Sequence, residues 1–277
     1  MIRVQGTMNT FYLIDEDVRD KAVNSKILCL DGTDGVLYAS PSQEGLAKMH
    51  IYNRDGSEAN MCANGLRCFG RYILDKYQVD DGLIETKRQT YYLSKVEDFY
   101  GLTGIRIGLD QVKRESHLDH DLLEVDLNLK GYSVSNFHLV SQTQELIDHE
   151  SLSELGAVCQ DMYEGGINLN LYRVLGPGIV YVRTYERGVG LTASCGTGMT
   201  ASCLDYALGH DFLGKEILVY NDGGLVTCQI QRQGMNFKAD FTGNATYMTG
   251  SASDQEAYES FYSLSREHLK ALNIQDL

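Results

Sequence analysis

The sequence predicts an α+β protein built from two related halves. Short stretches rich in β-branched and aromatic residues, each closed by a turn signal, recur along the 277-residue chain. Only a few helical patterns lie between them, which argues against a doubly wound parallel sheet. One helical pattern also occurs twice, together with its lead-in. At ~150 residues per domain, the length too points to two domains.

In chain order the strand-like stretches are KILCL (26–30), GVLYAS (35–40), AKMHIYN (47–53) and GIRIGL (104–109) in the first half. INLNLYRV (167–174), GIVYVRTYE (178–186), EILVYN (216–221), LVTCQIQ (225–231) and MNFKAD (235–240) follow in the second. ANGLRCFGRYILDKY (63–77) is read as a helix because Leu66, Phe69 and Ile73 recur at spacings of three and four. GTGMTASCLDYALGH (196–210) is a second, with Met199, Cys203 and Ala207 on one face. QEAYESFYSLSREHLKALN (255–273) is a third.

The charge is 24 − 38 = −14, and an acidic surface repels phosphate backbones, so nucleic acid is not an expected partner. No run of ~18 apolar residues occurs, so no membrane span is expected. The N-terminus has no signal-peptide pattern. The seven cysteines are odd in number and the chain is not small, so a disulfide framework is not expected and a reducing cytoplasm fits. Cys62 and Cys68, six apart, and Cys195 and Cys203, eight apart, lack the tight spacing of structural zinc, so no metal is expected.

The echo joins MCANGLRCFGRYILDKY, from Met61, with SCGTGMTASCLDYALGH, from Ser194. In each, a cysteine precedes a small residue, a polar residue and a glycine, and a helix follows. Cys62 and Cys195 are 133 residues apart, about half the chain. The first turn of a helix carries N–H groups with no intrahelical partner and the positive end of the dipole. A thiolate is stabilised there, and so is a bound carboxylate. Two such starts suit inversion of a carbon bearing hydrogen, with one thiolate removing the proton and an opposed thiol returning one. A redox dithiol is the rival role for the pair. Free cysteine is also a common inert packing residue, and Cys29, Cys159 and Cys228, in strand-like or irregular apolar settings, are read that way. Cys68 and Cys203 face the core within the helical patterns.

NRDGSEANMCANGLRCFGRY (53–72) and ERGVGLTASCGTG (186–198) closely resemble the two signature blocks of the diaminopimelate epimerase family. Weaker likenesses lie in GTMNTFYLID, DGTDGVL, VSNFH, GGINLN and ATYMTGSA, so the resemblance spans most of the chain. It implies two similar α+β domains, each a curved mixed sheet around a central helix, with the active site in the cleft between them. The boundaries are placed at 1–115, with 251–277 packing on that domain, and 116–250. The resemblance implies Cys62 and Cys195 as the catalytic pair, with His138 and Glu186 assisting. It puts the α-carboxylate at Ala63, Asn64, Gly196 and Thr197. Asn9, Asn53, Asn136, Asn168, Glu186 and Arg187 would hold the far amino-acid group. The reaction implied interconverts LL- and meso-diaminopimelate without a cofactor. The only partner implied is a small amino-acid substrate, and a homodimer is left open.

The chain departs from the family pattern at several points. The usual G-L-G-N-D-F reads GTMNTF, C-G-N-G reads CANG with Ala63, and N-P-H reads NFH with Phe137. DMYEGGIN replaces the usual approach to Asn168, and the tail is extended. These changes spare the cysteines and touch the substrate's far end. Racemisation of another amino acid such as histidine is therefore the alternative, and a redox or binding protein of the same fold is the reading from a different class.

Overall fold

Alternating burial lays the chain into strands, and the connections decide which strands become neighbours. The computed structural model describes residues 1–122, 126–250, 253–272 and 274. The chain divides into two units, Met1–Gly108 with Thr242–Ser263, and Leu109–Phe241 with Leu264–Leu277.

The first unit contains β1 (Ile2–Gly6), β2 (Asn9–Ile14), α1 (Lys21–Leu28), β3 (Gly35–Ser40), β4 (Ala47–Asn53), β5 (Glu58–Ala59), α2 (Ala63–Tyr77), β6 (Asp81–Glu85) and β7 (Thr90–Phe99). β8 (Leu102–Arg114) follows. β1 and β2 pair antiparallel, β2 and β3 parallel, β3 and β4 antiparallel, β4 and β6 parallel, and β6 and β7 antiparallel. Short β5 lies antiparallel to β4. Helix α2 packs with Gly65 against Phe11, Leu37 and Ile51, and with Gly70 against Leu93. α1 lies against β3 and β4, by the cluster of Ile14, Cys29, Val36 and Tyr38.

The second unit runs β9 (His120–Leu122), β10 (Leu127–Val134), β11 (Asn136–Thr143), α3 (His149–Met162), β12 (Asn168–Gly176), β13 (Ile179–Glu186), β14 (Gly190–Thr192), α4 (Gly196–Gly209), β15 (Glu216–Asn221) and β16 (Gly224–Gln233). β17 (Asn236–Asn244), β18 (Thr246–Tyr247) and α5 (Gln255–Ala271) end the chain, β18 returning to pair with β1 of the first unit. The pairing repeats the first unit step by step. β10 and β11 are antiparallel, β11 and β12 parallel, β12 and β13 antiparallel, β13 and β15 parallel, and β15 and β16 antiparallel. β14 lies antiparallel to β13, as β5 does to β4. The short echo in sequence thus widens to a whole repeated topology, with Cys62 and Cys195 at the same step of each unit.

The expected strand at 26–30 is instead the end of α1 and a 3₁₀ turn, Cys29–Asp31. Asp20 caps α1 by accepting from the Val23 N–H at 3.0 Å, and Val23 and Ile27 lie on its exposed side. Within 26–30 it is the apolar run of Ile27, Leu28, Cys29 and Leu30 that imitated a strand. Helix α3 has no counterpart in the sequence reading, although Asp148 accepts from the Ser151 N–H at 2.8 Å as a regular N-cap. Cys159, read as irregular, is a buried residue of α3. The other strand and helix stretches fall on the elements expected, except that Asn273 lies outside the described residues.

The division between units also differs from the boundaries read from sequence. It falls after Gly108, inside β8, and before Thr242, inside β17, and it shares the tail between the units. β8 is one unbroken strand that pairs with β7 up to Ile107 and with β10 at Lys113 and Arg114, so no loop or change of composition marks the place.

In the second unit the sheet has two differently used faces. Leu139, Leu169 and Leu171 point into an apolar cluster with Leu152 and Cys159 of α3. Residues one step along each strand face α4, which packs on β10, β11 and β12. Buried Asp205 of α4 pins that side, accepting from Tyr132 Oη at 2.6 Å, Tyr172 Oη at 2.7 Å and Lys130 Nζ at 2.9 Å. Asp205→Asn keeps the shape but turns an N–H₂ toward a donor. It should lower stability by about 1–3 kcal/mol, read as a fall in the urea midpoint at unchanged m-value. An unchanged midpoint would remove this anchor from the account.

Candidate active site

In the first unit the site starts at the turn between β1 and β2. Gly6 and Asn9 pair across two residues, Thr7 and Met8, with φ of 49° and 64°. Positive φ at both central positions is the tight hairpin geometry that ordinarily takes glycine or asparagine. Here side chains hold the turn. Thr7 N–H donates to Asn244 Oδ1 at 2.9 Å, Thr7 Oγ1 donates to Asn64 Oδ1 at 3.3 Å, and buried Arg67 donates to Thr7 Oγ1 at 3.1 Å and to Asn244 O at 3.1 Å. The turn, at the altered GTMNTF segment, is thereby tied to the first turns of α2.

That fixes Asn9 beside Cys62, whose thiol donates to Asn9 Oδ1 at 3.4 Å. Half a turn of the same amide would present its N–H₂ to a thiolate. Cys62 is the N-cap of α2, in extended conformation, and its side chain makes no capping bond. The intrahelical ladder begins with Leu66 N–H to Cys62 O at 2.8 Å, so the N–H groups of Ala63, Asn64 and Gly65 come before it. Asn53 is placed differently. It is exposed at the end of β4, and its side-chain N–H₂ is taken by Ser57 Oγ at 3.0 Å.

The second unit repeats the helix start. Cys195 is the extended N-cap of α4 and makes no side-chain capping bond, and the ladder opens with Met199 N–H to Cys195 O at 2.9 Å. Its Sγ lies 3.6 Å from Thr197 Oγ1. Gly196, Thr197 and Gly198 are buried, so the first turn is shielded from bulk water.

β11, β12 and β13, on which α4 packs, carry or adjoin the other expected residues of this unit. His138 and Asn168 are neighbours across the parallel β11–β12 pair. Asn168 Oδ1 accepts from the Arg187 backbone N–H at 2.8 Å, and this holds the turn after β13 that carries Glu186. The Arg187 guanidinium is exposed and reaches Gly165 O at 3.4 Å. Asn136 opens β11, after Ser135 at φ 60°, and Phe137 beside it is exposed. His138 is fully buried, and burial, reinforced by Arg187, drives its imidazole down to about 3, so it is neutral at working pH. Burial pushes the Glu186 carboxyl up to about 7 against the opposing pull of Arg187.

Sequence reasoning overlooked Thr7, Arg67 and Asn244 in the first unit and Asn170 and Thr184 in the second. Asn170 had a visible signal. In INLNLYRV it alternates with leucines two positions after Asn168, on the same face of the strand. Its side-chain N–H₂ lies 3.2 Å from His138 Nδ1 and donates to Leu139 O at 3.0 Å, and its Oδ1 accepts from Thr184 Oγ1 at 3.0 Å.

The expected site residues lie within segments shared with known proteins. The family described as Diaminopimelate epimerase matches residues 4–91 and 134–254. A diaminopimelate epimerase of Clostridium acetobutylicum is 34% identical over 90% of this chain and 83% of its own length. One of Lactiplantibacillus plantarum is 33% identical over 90% of this chain and 87% of its own. Among solved structures, a probable proline racemase of Agrobacterium radiobacter K84 superposes with a TM-score of 0.69 at 11% identity, covering 96% of this chain and 98% of that one, a likeness of fold. No helix among the described residues is long and apolar enough to cross a membrane.

The Glu186 carboxyl gives a stability test. Its folded pKa lies above its ordinary 4.5, so the folded state holds the proton more tightly. Its stabilising contribution is complete below about 4.5 and is lost as pH rises through about 7. Urea unfolding should show stability falling over this window, and Glu186→Gln should flatten the fall. Equal slopes for the two proteins would refute the shift.

Proposed function

The chain belongs to the diaminopimelate epimerase family, a family of isomerases, and from this we propose that it interconverts LL- and meso-diaminopimelate by proton transfer between two thiols. The observation that carries the proposal is the repeated position of Cys62 and Cys195. Each is the uncapping N-cap residue of the central helix at the same step of a repeated topology, followed by a small residue.

In the proposed reaction one cysteine, as thiolate, takes the α-proton, so that the Cα–H bond breaks and an S–H bond forms. The other, as thiol, gives its proton to the opposite face. The reverse direction exchanges the roles. The α-hydrogen of an amino acid is a weak acid, so the negative charge that spreads toward the carboxylate must be stabilised. N–H groups at Ala63, Asn64, Gly196 and Thr197 are proposed for this, since donors fixed before the reaction need no reorganisation during it. The scheme draws on the chain's own groups and invokes no cofactor. A cytoplasmic setting, in keeping with the thiols' reduced state, is part of the proposal.

The far end of the substrate carries a second ammonium and carboxylate. The exposed Arg187 guanidinium suits the carboxylate, with its fork of donors. Glu186 suits the ammonium, which would draw its carboxyl back to the ionised form. Asn9, Asn136 and Asn168 offer further amide groups, and Asn53 does so on release from Ser57. Histidine has neither far group and would leave this set unmatched.

Relative kcat/KM on one preparation tests the substrate. LL-diaminopimelate should exceed L-histidine by ~10⁴-fold, since a site built for polar groups strongly rejects analogues that lack them. Arg187→Met should remove most of that advantage with the fold intact. A higher value for histidine would overturn the assignment in favour of the alternative racemase.

A further inference from the structure

The two units share a topology, yet the space under their central helices is filled differently. In the first unit the third residue of α2, Gly65, rests on Phe11, Leu37 and Ile51. Phe11 lies two residues after Asn9, and its parallel partner is Gly35; Leu37 follows two residues on and pairs with Ile51. The same steps in the second unit lead from Asn136 to His138, from its partner Asn168 to Asn170, and from Asn170 to its partner Thr184. The third residue of α4, Gly198, rests on Asn170 and Thr184. A Cβ there would stand 2.0 Å from Asn170 Oδ1. An apolar trio in one unit thus corresponds to a polar trio at the equivalent places of the other.

Packing does not call for the polar set, because the first unit does without it. Burying an amide, an imidazole and a hydroxyl also carries a desolvation cost. Their order is well defined. Leu139 O, 3.0 Å away, requires the N–H₂ end of the Asn170 amide on its side, and the Thr184 hydroxyl meets the oxygen end at 3.0 Å. The N–H₂ end therefore also faces His138 Nδ1, which must be an acceptor. The proton of the neutral ring then lies on Nε2. That atom is buried and has no hydrogen-bond partner among the described residues.

We propose that Asn170, oriented by Thr184, is the positioning residue of this site: it holds His138 as the Nε2–H tautomer, ready to donate to an oxygen of the bound amino acid. The inference rests on the reaction proposed above. His138 on this account is a neutral donor beside the Cys195 helix start, and Asn170 and Thr184 act through it.

The test combines tautomer and rate. In protein labelled with ¹⁵N-histidine, the His138 ring signals are those lost in His138→Phe. The wild type should carry its proton on Nε2. Asn170→Asp replaces the donor by an acceptor of the same shape and should move the proton to Nδ1. Thr184→Val, a mild change in a strand, frees the Asn170 amide and should give a mixture. α-Hydrogen exchange of LL-diaminopimelate should follow the Nε2–H fraction, falling by ~10² or more in Asn170→Asp, as expected when an imidazole is held in the wrong tautomer. The triple variant His138→Phe, Asn170→Leu, Thr184→Ile copies the first unit and should unfold cooperatively in urea yet lose exchange. A wild-type proton on Nδ1 would overturn the proposal, as would unchanged exchange in variants whose tautomer has moved. A wild type with the predicted tautomer but no exchange of diaminopimelate would leave the positioning intact and sink the substrate reading instead.

Discussion

A helix cannot satisfy the N–H groups of its own first turn, and the site described above is organised around that constraint. Ordinarily a serine, threonine, aspartate or asparagine side chain folds back to cap them. α1 and α3 follow the rule with Asp20 and Asp148. α2 and α4 do not. Their N-cap residues are Cys62 and Cys195, whose side chains make no capping bond. The residues behind them are small, and the first turns are largely buried. The contrast within one chain separates helices whose starts are closed by their own sequence from helices whose starts suit an anionic guest.

The same contrast appears beneath the helices. Phe11, Leu37 and Ile51 fill the space under Gly65, and Asn170 and Thr184, with His138, occupy the equivalent place under Gly198. The repeated topology supplies two similar helix starts, and the local residues then make them unlike. On the first unit's side, polarity sits in the turn, where Thr7, Asn64, Arg67 and Asn244 form one bonded group next to Asn9. On the second unit's side it runs through the sheet.

Much of this was legible from the residues. Leu66, Phe69 and Ile73 marked α2, and the cysteine–small–polar–glycine order marked both helix starts. The departures were harder to weigh. Met8 stands where the family has glycine, and the structure shows it at φ 64°, in a turn held by long-range bonds to Asn244 that no local pattern announces. The strand expected at 26–30 failed because its apolar residues do not share a buried face: Ile27 and Leu30 are exposed while Cys29 is buried. The unit boundary was invisible because β8 crosses it unbroken. Asn170 was passed over for a different reason. An asparagine in a strand reads as a weak strand former, and only its register against Thr184 and its contact with Gly198 show what it holds.

The central proposal is that two thiols, each at a helix start, serve a single carbon, one taking its proton and the other giving it a different one. A thiol carries one proton, so the proton taken from the substrate does not mix with others on the same group. Deuterium placement early in turnover of LL-diaminopimelate in deuterated water tests this directly. The account predicts that the meso product carries deuterium at the inverted carbon while the unreacted LL substrate keeps its hydrogen. Deuterium entering the unreacted substrate as fast as product forms, with a single cysteine sufficing, would contradict it.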